Sequence, residues 1–303
     1  MAVTARTPRT KGKQPLPVTH FVPDDPLGPP VVGELAPAPR VTFRDDAAGI
    51  FLYQAETLEF LDRVAAKHPH GVFDAIFADP PYFLSNGGIT CHNGRMVRVD
   101  KGKWDKSRGA EVNHEFNVEW LRRCQRVLRP NGTIWVTGTQ HVIFSVGYAM
   151  QQLGFKLLND IAWEKPNPPP NLSCRYFTHS TETVLWAAKN EKSRHTFHYA
   201  LMREHNGGKQ MKSVWRMKAP GKAEKIHGRH PTQKPLALVE RCLLASTDEG
   251  ALVLDPFSGS GTTAVTCVRT RRRCVAVEMD ADFPKIARNR VIEALDQKRE
   301  LIP

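Results

Sequence analysis

From about Val41 onward, apolar and polar positions along the chain follow the spacing of strands and of helices in turn. Apolar runs typical of buried strands lie at 72–78, 133–137, 155–163, 183–188, 251–254 and 274–277. Helical spacing marks 58–67, 116–128, 142–153, 236–246, 262–270 and 283–298. This alternation predicts an α/β fold with a parallel or mixed sheet covered by helices on both faces, and ligands bind such sheets beyond the carboxyl ends of the strands.

Three stretches lack such periodicity. Residues 83–115 are rich in Gly, Asn, Lys and Arg and are expected to form a long loop. Residues 1–40 hold 9 of the 23 prolines and are expected to be a mostly disordered basic arm, either in contact with nucleic acid or without a role. The interval 189–229 holds 11 Lys and Arg against 3 Glu, which is +8 of the chain's net +12. This excess favours a nucleic acid as partner, with Trp215 and Arg216 expected to approach bases, and a solvated basic insertion is the alternative.

A Gly-rich turn follows the strand predicted at 251–254 and opens a helix. It reads Asp255-Pro-Phe-Ser-Gly-Ser-Gly261, and its glycines, Gly259 and Gly261, permit a tight turn and a close approach of ligand to backbone. The next strand ends in Glu278, where a carboxylate holds a ribose hydroxyl in nucleotide-binding folds. The turn lacks the third Gly of the dinucleotide fingerprint and the Lys of a P-loop. A nucleoside without a pyrophosphate therefore fits better, and S-adenosylmethionine is such a ligand.

A second polar motif, Asp79-Pro80-Pro81-Tyr82, follows the strand predicted at 72–78. Methylation of the exocyclic amino group of a base needs such an arrangement, because hydrogen bonds to both N–H groups localise the nitrogen lone pair. Asp79 and the Pro80 carbonyl are the expected acceptors, the prolines stiffen the turn, and Tyr82 offers a flat face to a flipped base. Methylation at cytosine C5 requires a cysteine nucleophile that usually follows a proline, and none of the six cysteines does. Their spacing also fits no zinc module.

The two motifs together resemble the amino-methyltransferases of DNA. The catalytic tetrapeptide precedes the Gly-rich turn here, and this order is similar to that of the beta class, a circular permutation of the seven-stranded, Rossmann-like methyltransferase fold. Residues 79–107, with Phe-Leu-Ser-Asn-Gly-Gly after the tetrapeptide and Lys-Gly-Lys-Trp-Asp-Lys later, resemble DpnA-type adenine methylases of GATC restriction-modification systems. The segment His230-Pro-Thr-Gln-Lys-Pro235 resembles the one that this class uses near the methionine end of S-adenosylmethionine.

The resemblance implies a role for each matching residue. The base-side residues are Asp79, Pro80, Pro81 and Tyr82. The cofactor-side residues are Asp255, Phe257, Gly259, Gly261, Glu278, Thr232, Gln233 and Lys234. The expected organisation is an arm at 1–40, a catalytic half at 41–188, a target-recognition region at 189–229 and a cofactor half at 230–303.

The sequence thus predicts a DNA methyltransferase that transfers a methyl group from S-adenosylmethionine to adenine N6 in duplex DNA, with GATC as the suggested site. Cytosine N4 in DNA and adenine in RNA remain the alternatives, and a silent nucleic-acid-binding module and a dehydrogenase explain the intact motifs less well. No run approaches the ~18 apolar residues of a membrane span, so a cytoplasmic protein of prokaryotic or phage type is expected. The resemblance also raises a homodimer and a cognate restriction endonuclease as partners, and the sequence alone decides neither.

Overall fold

The computed structural model describes residues 38–84, 89–92, 95–98, 105–228 and 230–300. They belong to one compact unit, Pro37–Pro303. The arm predicted at 1–40 lies outside the described residues except for its last three, and Arg40 already begins the first strand. None of the described helices is long and apolar enough to cross a membrane.

Strands and helices alternate along the described chain as the apolar spacing predicts. The strands are β1 (Arg40–Asp45), β2 (Ile50–Gln54), β3 (Phe73–Ala78), β4 (Ile89–His92), β5 (Arg95–Arg98), β6 (Leu128–Gly138), β7 (Lys156–Glu164), β8 (Thr181–Ala188), β9 (Val214–Arg216), β10 (Leu252–Asp255) and β11 (Arg273–Glu278). The helices are α1 (Thr57–Lys67), α2 (Ala110–Val127), α3 (Ile143–Gln152), α4 (Tyr199–His205), α5 (Leu236–Ser246), α6 (Thr262–Arg269) and α7 (Phe283–Glu300).

Nine of these strands form one sheet, in the order β1-β2-β11-β10-β3-β6-β8-β7-β9. The neighbours from β2 to β6 are parallel, and β8 is antiparallel to both β6 and β7. The seven strands from β2 to β7 are the sheet of the expected methyltransferase fold, and the strand before the Gly-rich turn, β10, comes late in the chain. Edge strands β1 and β9 extend this sheet on its two sides, and β4 and β5 form a separate hairpin.

Two apolar layers cover the sheet. Helices α1, α2 and α3 pack on one face around Leu61, Trp120 and Val146, and α5, α6 and α7 pack on the other around Val239, Val268 and Val291. All six of these side chains are buried, which is the burial that the helical spacing predicts. The sheet is therefore rigid, and its carboxyl edge stays free for polar side chains.

The structure differs from the sequence expectation at 83–115. A continuous long loop is wrong there, because the hairpin of β4 and β5 lies inside the stretch and α2 begins at Ala110 rather than near 116. The first two turns of α2 are mostly polar and mostly solvent-exposed, and their two large apolar residues, Val112 and Phe116, are too few to mark a helix in the sequence.

Candidate active site

The predicted motifs meet at one cavity of about 880 Å³ at the carboxyl edge of the sheet. The turn after β3 forms one part of its wall, and the turn after β10 together with the end of β11 forms another. From the predicted set, the lining residues are Asp79, Pro80, Pro81, Tyr82, Phe257, Gly259, Glu278 and Thr232. Further apolar wall comes from Leu58, Val112, Phe116 and Phe283, so the space suits a ligand with both flat apolar and polar parts.

Asp79 is held by three side chains. Its Oδ1 accepts hydrogen bonds from the Thr137 hydroxyl at 2.6 Å and from the Tyr82 hydroxyl at 2.8 Å. Its Oδ2 accepts one from Lys234 Nζ at 2.6 Å. Each of the three partners donates, so both carboxylate oxygens act as hydrogen-bond acceptors and the side chain is held in one orientation.

Tyr82 is buried, with 5% of its surface exposed. Burial, and then the charges of Asp79 and Glu182, raise the pKa of Tyr82 well above its ordinary value, so its hydroxyl stays a donor. Lys234 Nζ lies 5.1 Å from the centroid of the Tyr82 ring. Tyr82 thus belongs to the cavity lining, its hydroxyl fixes the Asp79 carboxylate, and stacking of a base on its ring stays a prediction.

Asp105 holds the turn from the other side. This fully buried carboxylate accepts the backbone N–H of Tyr82 at 2.9 Å and that of Leu84 at 3.1 Å. The two prolines that precede Tyr82 have no N–H to donate, so the first N–H groups after them are the ones that need a partner. Asp105 supplies it from 23 residues further along the chain.

The Gly-rich turn is built around Gly259 and Glu278. Gly259 has φ +51°, and its N–H donates to Glu278 Oε2 at 2.7 Å. Glu278 Oε1 accepts the N–H of Asp280 at 2.8 Å. Burial raises the pKa of Glu278 although these N–H groups oppose the shift. A partly dehydrated carboxylate therefore points into the cavity at the end of β11.

Asp255 and Gly261, which the sequence placed at the cofactor, lie behind the cavity wall. Asp255 is 4% exposed, and its Oδ1 accepts the N–H of Phe257 at 3.1 Å. Gly261 caps α6 with φ +76°, and a Cβ on it would lie 2.8 Å from Cβ of Ala287 in α7. Both residues shape the turn, and neither belongs to the lining residues.

Some side chains of the segment from His230 to Pro235 line the cavity, and others turn away from it. Thr232 and His230 line the cavity, and burial lowers the pKa of His230 to about 4, so the imidazole is neutral at pH 7. Gln233 turns away, and its Nε2 donates to the carbonyl of Glu224 at 2.8 Å. Lys234 reaches Asp79 on the base side. Of Thr232, Gln233 and Lys234, only Thr232 lines the cavity, and the expectation that all three lie near the methionine end of the cofactor stays a prediction.

In the basic interval at 189–229, most of the described Lys and Arg side chains are exposed, whereas the tryptophan is buried. Eight of its Lys and Arg are exposed: Lys192, Arg194, Arg203, Lys209, Lys212, Arg216, Lys218 and Lys222. Trp215 is 6% exposed and packs against Trp135 beneath the sheet edge, so the expectation that it approaches bases is wrong. It alternates with exposed neighbours in β9, an edge strand too short for its alternation to show in the sequence.

Sequence patterns did not reveal four polar residues of the site: Asp105, Thr137, Lys165 and Glu182. They lie far apart along the chain, and only the strand order brings the last three to the edge beside Asp79. A polar residue at the carboxyl end of a buried strand, such as Thr137 in β6, is the one local signal.

Comparisons with known proteins agree with this geometry. A protein-family model described as "DNA methylase" matches residues 73–289. The chain is similar to Type II methyltransferase M2.DpnII of Streptococcus pneumoniae, with 54% identity over 243 residues, which cover 80% of this chain and 89% of that protein. It is similar to Type II methyltransferase M2.MboI of Moraxella bovis, with 46% identity over 251 residues, covering 83% and 90% of the two chains.

Two solved structures share the fold. The crystal structure of the M1.HpyAVI–SAM complex matches with a TM-score of 0.61 and 27% identity, covering 79% of this chain and 98% of that one. PvuII DNA methyltransferase, described as cytosine-N4-specific, also matches with a TM-score of 0.61, at 17% identity and with coverage of 82% and 92%. The second match shows the fold alone.

Proposed function

Since this chain belongs to the DNA methylase family, we propose that it transfers a methyl group from S-adenosylmethionine to the N6 amino group of adenine in duplex DNA. The observation that carries the proposal is that one cavity joins the turn of Asp79 to the turn of Gly259 and Glu278. A methyl donor and a target base must share such a space, because direct transfer requires the two reacting atoms in line and in contact.

The residues present fit the cofactor. Glu278 supports ribose binding, since two backbone N–H groups fix its carboxylate at the end of β11. Phe257, Phe116 and Leu58 give apolar wall against which an adenine ring packs. When bound, S-adenosylmethionine supplies an electrophilic methyl group on a sulfonium.

Asp79 acts on the base. An amino group conjugated with a purine ring is a poor nucleophile, and acceptors for its N–H groups localise the nitrogen lone pair. Asp79 Oδ2 and the Pro80 carbonyl are the acceptors that we assign to these two N–H groups, and the two prolines stiffen the turn that carries them. The lone pair forms the new N–C bond as the C–S bond of the sulfonium breaks, which leaves a neutral thioether, and one proton of the amino group then departs to solvent. The base leaves the duplex to reach this buried site.

Adenine is favoured over cytosine by the first residue of the tetrapeptide, because Asp is typical of adenine enzymes in the resembled class and Ser of cytosine-N4 enzymes. The relatives M2.DpnII and M2.MboI have the same Type II description. The resemblance to DpnA-type methylases makes GATC the first site to test. The exposed Lys and Arg of 189–229 are assigned to the DNA phosphates, in line with their position beside the sheet edge.

The experiment compares wild type with Asp79→Asn in methyl transfer from labelled S-adenosylmethionine to an unmethylated GATC duplex. Asparagine keeps the shape of the side chain but replaces one acceptor oxygen by a donor, so transfer should fall by at least about 100-fold. Titration calorimetry should show nearly unchanged cofactor affinity, because Asp79 acts on the base.

Asp46→Asn is the matched control, since Asp46 is an exposed aspartate paired with Arg44 and distant in sequence from the site. It should transfer methyl groups as wild type does. Full turnover by Asp79→Asn contradicts the proposed role of the tetrapeptide.

A further inference from the structure

Four charged side chains of alternating sign lie at the carboxyl edge of the sheet, around the part of the cavity wall that contains Asp79. Asp79 follows β3, Glu182 lies at the start of β8, Lys165 follows β7, and Lys234 precedes α5. The antiparallel register of β7 and β8 places the end of one strand beside the start of the other, with Glu164 paired to Thr181. These residues, Asp79, Lys165, Glu182 and Lys234, are called the buried charge cluster below.

Each member of the cluster contacts the next, from Asp79 through Lys234 and Glu182 to Lys165. Lys234 Nζ lies 2.6 Å from Asp79 Oδ2 and 3.8 Å from Glu182 Oε2. Lys165 Nζ forms an ion pair with Glu182 Oε1, and the Tyr82 hydroxyl lies 3.3 Å from Glu182 Oε2. The side chains of Lys234 and Glu182 are only 5% and 12% exposed. Charges this deeply buried require partners, and the two carboxylates and two ammonium groups balance to zero.

The hydrogen bond from Lys234 leaves the Asp79 carboxylate with few unused lone-pair directions. A carboxylate offers about four lone-pair directions. Two on Oδ1 are used by Thr137 and Tyr82, and one on Oδ2 is used by Lys234. The direction that remains for an incoming amino group is on Oδ2, so Lys234 decides the orientation of the acceptor.

Glu182 determines how strongly the positive charge of Lys234 affects methyl transfer at the amino nitrogen. Positive charge develops on the amino nitrogen as the methyl group is transferred, and an uncompensated ammonium beside Asp79 would oppose it. Glu182 offsets that ammonium, and Lys165 in turn holds Glu182. Lys165 Nζ also lies 4.7 Å from the centroid of the Trp163 ring, which fixes the outer end of the cluster.

We propose that Lys234 and Glu182 are positioning residues for methyl transfer, in which Lys234 orients the Asp79 acceptor through its hydrogen bond and Glu182 offsets the charge of Lys234. This inference rests on the proposed function and adds to it. It also moves Lys234 from the cofactor, where the sequence resemblance placed it, to the base side of the site.

The test measures single-turnover methyl transfer for wild type, Glu182→Gln, Lys234→Met and Lys234→Arg. Glu182→Gln should lower the single-turnover rate by about 10-fold, with KM for DNA and cofactor within about threefold of wild type. Lys234→Met should lower the rate further, and Lys234→Arg should restore part of it because the positive charge returns.

The split between rate and binding separates positioning from a purely structural role. A substitution that only disturbs the fold lowers the affinities for DNA and cofactor together with the rate, and a returned charge does not correct it. A positioning role lowers the single-turnover rate while both affinities stay within about threefold of wild type, and Lys234→Arg recovers part of the rate that Lys234→Met loses.

Glu249→Gln is the matched control, since Glu249 is a glutamate whose side chain is 63% exposed, pairs with Arg271 and does not line the cavity. It should leave the rate unchanged. A wild-type rate in Glu182→Gln would overturn the inference, and so would loss of cofactor binding in Lys234→Met. If Lys234→Met does not fold, Glu182→Gln and Lys234→Arg still test the inference. Wild type without any transfer to adenine would overturn the proposed function and the inference with it.

Discussion

At the scale of the residue, Asp255 is a carboxylate whose surroundings disfavour its charged form. It is buried beneath the Gly-rich turn, and burial raises its pKa from 3.8 to about 7. Hydrogen bonds from Thr263 and from the Phe257 N–H act in the opposite direction and are outweighed. The folded state therefore binds a proton more tightly at this position than the unfolded chain does, which makes a pH dependence of stability testable.

We expect the free energy of unfolding to fall as pH rises from about 4 to about 7, by at most roughly 1.4 kcal/mol per pH unit from this group. The sign follows because the unfolded state binds fewer protons than the folded state in this window. Asp255→Asn keeps an acceptor for the Phe257 N–H and cannot ionise, so its stability should depend less on pH. Urea titrations at pH 5 and pH 8 measure the difference, and equal pH dependence in the two proteins would contradict the buried-acid interpretation.

At the scale of the element, α6 and α7 meet where Gly261 caps α6. The residue has φ +76°, and the space for a Cβ is taken by Ala287 of α7, 2.8 Å away. Gly261→Ala should therefore combine backbone strain with an overlap between helices, costing about 2–4 kcal/mol in the free energy of unfolding.

Gly250 provides the control for that substitution. It has φ +78° but nothing within 4 Å of its Cβ position, so Gly250→Ala should cost only the backbone strain, about 1 kcal/mol. Denaturant titrations of both variants separate the two terms. Equal losses in both would show that helix packing at Gly261 contributes nothing.

Elements with a strong apolar pattern could be predicted from the sequence. Elements whose structure depends on the segments they pack against could not. The helix α5 spans Leu236–Ser246 as its apolar spacing predicts, because a stripe that faces a core is visible in sequence. Neither the hairpin of β4 and β5 nor the polar start of α2 has such a stripe. Within the site, the motif residues could be located on strand ends, whereas Glu182 and Thr137 join Asp79 only through the order of β3, β6 and β8.

At the scale of the whole molecule, the strand order brings together segments from both ends of the chain. The turn of Asp79 and the turn of Gly259 are about 180 residues apart in sequence, yet β3 and β10 are neighbours in the sheet. Positive charge is concentrated in one interval, since eight exposed Lys and Arg lie among the described residues of 189–229. The cavity thus lies in the same compact unit as a positively charged surface, and that sign suits the DNA phosphates we assign to it.

We expect this cavity to methylate adenine at N6. The most direct measurement incubates the protein with unmethylated duplex DNA and S-adenosylmethionine carrying a labelled methyl group, digests the DNA to nucleosides and separates them by liquid chromatography with mass detection. The label should appear in N6-methyl-2′-deoxyadenosine. Label in N4-methyl-2′-deoxycytidine instead, or in neither nucleoside, would contradict this expectation.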